Sequence, residues 1–110
     1  MNVKEEVSIK KMLNYIYSIE KYIDGVNLED FVFNEEKQYA TVFALCQIGE
    51  LVKNISDETQ AQSNEIPWGT IKGLRNKIVH DYDGINLILI WDIITIDLPG
   101  LKNSLEKLIN

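Results

Sequence analysis

The stretch GLRNKIVHDYDG (73–84) gathers Arg75, Asn76, His80 and Tyr82, and it contains the chain's one histidine. Histidine titrates near neutral pH and can take or give a proton during a reaction. Arginine offers a planar fork of donors that suits a phosphate and the charge developing on it. Asparagine can hold an imidazole in orientation through one hydrogen bond. Together these types fit metal-free cleavage of RNA. One group deprotonates the 2′-hydroxyl, that oxygen attacks the adjacent phosphorus, and a second group protonates the 5′-oxygen as it leaves. Such chemistry needs a base and an acid, and a single histidine supplies only one of them. A symmetric dimer would bring two copies of His80 into one cleft, and a two-fold axis is the commonest oligomer symmetry.

What must position these groups? Pro67 suits a first helical position, and the sequence predicts one helix over 67–83 that stops at Gly84. At about 100° per residue, Trp68, Ile71, Leu74, Ile78 and Tyr82 fall on one apolar stripe, bordered by Arg75 and Val79. Asn76 and His80, four apart, can touch on a neighbouring face. Arg75 and Tyr82 lie nearly above one another. The polar groups therefore collect along one edge of a buried stripe, where a cleft between helices or subunits would open. Plainer readings stand beside this one. His80 can offset a helix C-terminal dipole. Arg75 can pair with an acidic neighbour such as Glu50, and Glu50 can instead orient Arg75. Asn76 can hold a backbone group, and Tyr82 by its place on the stripe is core. Lys72, Arg75, Lys77 and His80 form a compact basic cluster, a pattern that is usually a solvated face.

The whole chain limits what this cluster can serve. At 110 residues it is one domain with room for a real core, and 45% hydrophobic with 25% charged is a globular composition. The net charge of −6 argues against broad, sequence-independent nucleic-acid binding, though not against a small basic cleft on an acidic body. The lone Cys46 excludes an intrachain disulfide and a multi-cysteine metal site, and reads as a small buried hydrophobe. Too few histidines and cysteines exist for a zinc or transition-metal centre, so neither metal nor cofactor is expected. Gly69, Gly73 and Gly84 do not fit a phosphate-loop spacing. The N-terminus lacks the apolar run of a signal peptide, and INLILIWDIITIDL (85–98) is too short to span a bilayer, so the chain reads as cytoplasmic.

Helical periodicity runs through the rest. Residues 4–24 repeat Ile9, Met12, Leu13, Ile16, Ile19 and Ile23, with Gly25 as the stop. Asn27 with Asp30 resembles a capping box for a short turn through Phe33. Asn34 caps a long helix over 35–55, with Glu35 and Glu36 in its first turn. That helix is apolar on two faces, Tyr39, Val42, Phe43 and Cys46 on one, Leu45, Ile48, Val52 and Ile55 on the other. It therefore packs centrally or also meets a second subunit. A short polar helix follows Ser56 and Asp57. Residues 86–97 favour a strand by propensity, but no partner strand is evident, so they read as a buried helix opened by Asn86. Asp97 and Pro99 then start a last helix to about Ile109. The expectation is an all-α, up-down bundle of four to five main helices forming a homodimer.

Arg75-Asn76-x-x-x-His80-x-Tyr82 resembles the Arg-x-x-x-x-His signature of HEPN domains, in the form typical of HepT-like proteins. The likeness extends over most of the chain, including IGELVKNIS (48–56), IPWGTIKGLRNKIVHDY (66–82) and WDIITIDLPGLKNSLEKLI (91–109). Arg-x-x-x-x-His alone is a weak pattern, whereas this longer context is specific. The resemblance implies a single HEPN domain over 1–110, a homodimer with a composite cleft, and metal-independent endoribonuclease activity. It implies a toxin of a toxin–antitoxin pair whose partner is a small MntA-like nucleotidyltransferase that transfers AMP onto the tyrosine of His-x-Tyr. By that likeness Arg75 and His80 are the catalytic pair, Asn76 supports them, and Tyr82 accepts AMP. Phosphate charge and bulk beside His80 would then block a phosphate-binding cleft. Asp81 and Asp83 lower the local potential. The competing expectations are a non-catalytic HEPN module that docks a nucleotidyltransferase or nucleotide, and a structural bundle without chemistry.

Overall fold

The computed structural model describes residues 1–80 and 84–110, His80 by its backbone alone. Helix α1 (Val3–Ile23) starts at Asn2, whose side chain accepts from the Glu5 amide at 2.8 Å while Glu5 accepts from the Asn2 amide at 3.0 Å. This reciprocal box satisfies two amides that a helix start leaves free. Its buried face, Ile9, Met12, Ile16 and Ile19, repeats at the expected helical spacing. The turn after α1 passes through Gly25 at φ +71, a conformation that a side chain would strain.

Asn27 caps the short α2 (Leu28–Val32) by accepting from the Asp30 amide at 2.8 Å. Asn34 caps α3 (Glu35–Leu51) by accepting from the Lys37 amide at 3.0 Å. Both caps are as the sequence predicts. The Gln38 amide, buried, donates to the carbonyls of Phe31 and Val32 and fixes the α2–α3 corner. Lys37 Nζ donates to the Tyr22 carbonyl at 2.7 Å, and at the opposite end Glu5 accepts from the Ser56 amide. These two tethers make α1 and α3 an antiparallel hairpin. Leu45 and Ile48 of α3 are fully buried against it, each contributing about 1.5–3 kcal/mol by burial.

A 3₁₀ turn (Val52–Asn54) leads from α3 to α4 (Asp57–Gln62), capped by Ser56 Oγ. Glu5 accepts from both Ser56 N and Ser56 Oγ, so one carboxylate ties together two helix starts. Donation from the backbone of Asn2 and Ser56 and the hydroxyls of Thr59 and Ser56 lowers the Glu5 carboxyl to about 2.

The single helix expected over 67–83 is overturned. Two five-residue helices, α5 (Trp68–Lys72) and α6 (Leu74–Ile78), meet at Gly73, and the chain is extended from Val79. Strand β1 (Val79–His80) pairs antiparallel with β2 (Gly84–Ile85), and the Asn86 amide closes the ladder on the Ile78 carbonyl at 3.0 Å. The physical reason lies in two residues. Val79 is β-branched and prefers extended backbone, and Gly84 at φ +81 serves the return of a hairpin, not the end of a helix. The stripe itself survives the change, with Trp68, Ile71, Leu74 and Ile78 all buried. Trp68 is anchored through its indole N–H on the carbonyls of Gln60 and Ser63.

Asn86 opens α7 (Leu87–Asp92) by accepting from the Leu89 amide, as expected. The separate last helix expected from Asp97 is instead continuous with α7 through a π turn (Ile93–Asp97) into α8 (Leu98–Ile109). Pro99 explains the widening. It has no N–H, and its ring presses on the carbonyl four residues back, so the helix relaxes just before it. The Leu98 amide accordingly reaches the Ile93 carbonyl. Lys102 Nζ on Glu20 at 2.8 Å joins α8 to α1. The architecture is an all-α bundle carrying one two-residue ladder among the described residues. No helix among them is long and apolar enough to cross a membrane.

Candidate active site

Arg75 and Asn76 lie on α6, whose ends carry no side-chain cap. Something else must hold α6, and that is α3. Gly49 faces the C-terminal end of α5 so closely that a Cβ there would lie 2.7 Å from the Ile71 carbonyl oxygen and 3.6 Å from that of Lys72. A helix this close to a neighbouring backbone fixes where the next five residues start. Leu74 and Ile78 then point into the core, which turns Arg75, Asn76 and Lys77 outward to exposed positions.

The arrangement differs from the helical projection in one respect. Helical geometry stops at Ile78, so the projection of residues 68–83 onto one helix ends there, and the expected contact of the His80 side chain with Asn76 falls outside the described atoms. His80 lies on a strand, its backbone paired with that of Gly84. Tyr82, with Asp81 and Asp83, lies outside the described residues.

Two groups of α3 feel the Arg75 charge. Cys46, expected to be a small buried hydrophobe, is half-buried and packs against the core; burial pushes its thiol up while the Arg75 charge opposes this. Glu50 is exposed and accepts from Lys53 Nζ at 2.9 Å. The Lys53 hydrogen bond and charge, and secondarily Arg75, hold the Glu50 carboxyl below the usual range. Among the described residues, then, the ion pair at this spot is Glu50–Lys53, and Arg75 acts on Glu50 through its charge. Lys53 was missed by sequence reasoning. Its signal is the three-residue spacing Glu50-x-x-Lys53 at a helix end, which puts both on one face.

The second apolar face of α3 remains open. Tyr39 and Phe43 are 60% and 57% exposed, with Phe43 edge-on to Tyr15 at 6.3 Å. A separate apolar groove of about 540 Å³ lies between α5–α6 and the π turn, lined by Leu45, Ile71, Leu74, Ile93 and Leu98, with Lys77 at its rim. Arg75 is not part of that lining, since two residues along a helix turn a side chain through about 200°.

Comparison with known proteins points to one family. The family model described as Ribonuclease HepT-like matches residues 12–108. A protein of Thermococcus cleftensis named "Probable ribonuclease HepT" is 36% identical over 90 residues, covering 82% of this chain and 82% of its own. A protein of Caldanaerobacter subterraneus named as a candidate RNase is 34% identical over 87 residues, 79% of this chain and 78% of its own. Another so named, from Methanocaldococcus jannaschii, is 30% identical over 98 residues, 89% of this chain and 84% of its own. No solved structure matches.

Proposed function

Because this chain belongs to the HepT-like ribonuclease family, we propose that it is a metal-independent endoribonuclease that cuts RNA at a composite site of two subunits. The observation that carries this reading is the exposed Arg75 on α6, whose charge reaches Glu50, with His80 two residues past the end of that helix. Arg75 takes the scissile phosphate and the charge that grows on it. One His80 removes the 2′-hydroxyl proton, and the oxygen forms a bond to phosphorus as the bond to the 5′-oxygen breaks. The partner copy of His80 gives the leaving oxygen its proton, which yields a 2′,3′-cyclic phosphate and a 5′-hydroxyl. Asn76 orients the imidazole. The open strip of Tyr39 and Phe43, running on α3 toward Cys46 and Glu50, supplies apolar area for a second copy next to the motif.

As a toxin of a two-gene pair, the chain is neutralised by an MntA-like nucleotidyltransferase that places AMP on Tyr82. The added negative charge two residues from His80 repels the RNA phosphate. Purified protein incubated with single-stranded RNA in EDTA tests the reading. Cyclic-phosphate ends are expected from the wild type and not from His80→Ala with the same melting temperature. Strict dependence on magnesium would sink the mechanism. Retained partner binding without cleavage would favour a docking module. Intact mass of the protein co-produced with its nucleotidyltransferase checks Tyr82.

A further inference from the structure

We infer that Lys53 is a second phosphate-binding group beside Arg75, holding an RNA phosphate next to the one being cut, with Glu50 as the counter-ion that the strand displaces. The inference rests on the ribonuclease reading above. A chain of net charge −6 repels RNA over most of its surface, so the strand must be received where cations converge.

The end of α3 is such a place. Gly49 against the Ile71 and Lys72 carbonyls pins this end to the α5–α6 joint, from which Arg75 projects. Lys53 follows within the 3₁₀ turn and donates to Glu50 at 2.9 Å. Glu50 therefore binds Lys53 directly and also feels the charge of Arg75 on α6. Both side chains of the Lys53–Glu50 pair are 58% exposed, so water screens it and it contributes little to stability. A phosphate can replace the carboxylate on Lys53 at small cost, and lysine binds phosphate well as a point charge. Arg75, with its fork, is suited to the reacting phosphate; Lys53, with one mobile ammonium, is suited to a neighbour that needs only to be held.

The test compares cleavage of a single-stranded RNA hexanucleotide with that of a dinucleoside monophosphate, which has no flanking phosphate. Lys53→Ala is expected to raise the hexanucleotide KM about fivefold relative to its effect on the short substrate, and to reduce the salt slope by about 0.7. Lys53→Arg restores both. Glu50→Gln lowers the hexanucleotide KM about twofold with kcat kept, because a competing charge is gone. Lys21→Ala makes the same charge change in the last turn of α1, the opposite end from Ser56, and leaves KM unchanged. If wild type cuts and Lys53→Ala behaves as Lys21→Ala, the inference alone is overturned. A fall in kcat on Glu50→Gln would make Glu50 a positioning group for Arg75 and overturn its role as counter-ion. A wild type that cuts neither substrate overturns the ribonuclease reading and the inference with it.

Discussion

The α1–α3 hairpin and the α5–α6–β1 segment are built in opposite ways. The hairpin consists of long helices, each opened by its own asparagine cap, with fully buried apolar groups from Ile9 to Ile19 on one and at Leu45 and Ile48 on the other. The motif segment consists of five-residue helices without side-chain caps, joined at a glycine and continued by a two-residue strand. Helices that short do not stand by themselves. The first region carries its own structural instructions, while the second takes its position from the first, mainly through Gly49 and the buried stripe. Stability is thus concentrated in one region, the proposed chemistry lies in the other, and substitutions should separate the two.

The sharpest separation comes from Arg75→Ala, which should lower RNA cleavage by about 10²–10³-fold. Its melting temperature should stay within about 2 °C, since the side chain is exposed. Ile48→Ala does the reverse. It leaves a cavity in the fully buried hairpin and should cost about 2–5 kcal/mol in urea unfolding. Gly49→Ala tests the joint between the regions. A Cβ at 2.7 Å from a backbone oxygen forces α5 away from α3, so both read-outs should fall: about 1–3 kcal/mol of stability, and cleavage even well below the melting point. A stable Gly49→Ala with full activity would break the claim that α3 positions the motif. Asn34→Ala should remove about 1 kcal/mol with cleavage intact.

The smallest effect is present at neutral pH and vanishes in acid. Glu5 has its folded pKa depressed to about 2, so its contribution is present above the unfolded value near 4.5 and fades as pH falls between them. Urea midpoints should therefore show a gap between wild type and Glu5→Gln at pH 7 that closes toward pH 2. A gap independent of pH would mean that packing, not charge, explains the effect.

Much of the first region was legible because its signals are local and repeated. Asn27, Asn34 and Ser56 each sit before an acidic first turn, and the isoleucines of α1 recur at helical spacing. The family was legible from the residues around Arg75 and His80. The geometry between those two was not, because the buried stripe from Trp68 to Ile78 fits one long helix as well as two short ones. Periodicity fixes which face is buried and is silent on where a backbone breaks. The hairpin after Ile78 is decided by Val79, by Gly84 and by a bond between Asn86 and Ile78, all too few for a periodic signal. Glu50 was noticed, but its partner proved to be Lys53 of the same helix end. Glu5 went unnoticed because its second partner, Ser56, is distant in sequence.

The π turn at Ile93–Asp97 sets the phase of everything after it. It holds one residue more than the α turn it replaces, so α8 is rotated by about 100° from where an unbroken helix would put it. Leu98 and Leu105 meet the core only in that phase, and Lys102 meets Glu20 only in that phase. The segment is thus a counted length. Removing one residue there would leave an ordinary α-helix with α8 in the same phase, whereas closing the turn at its full length would swing Leu98 and Leu105 away from the core.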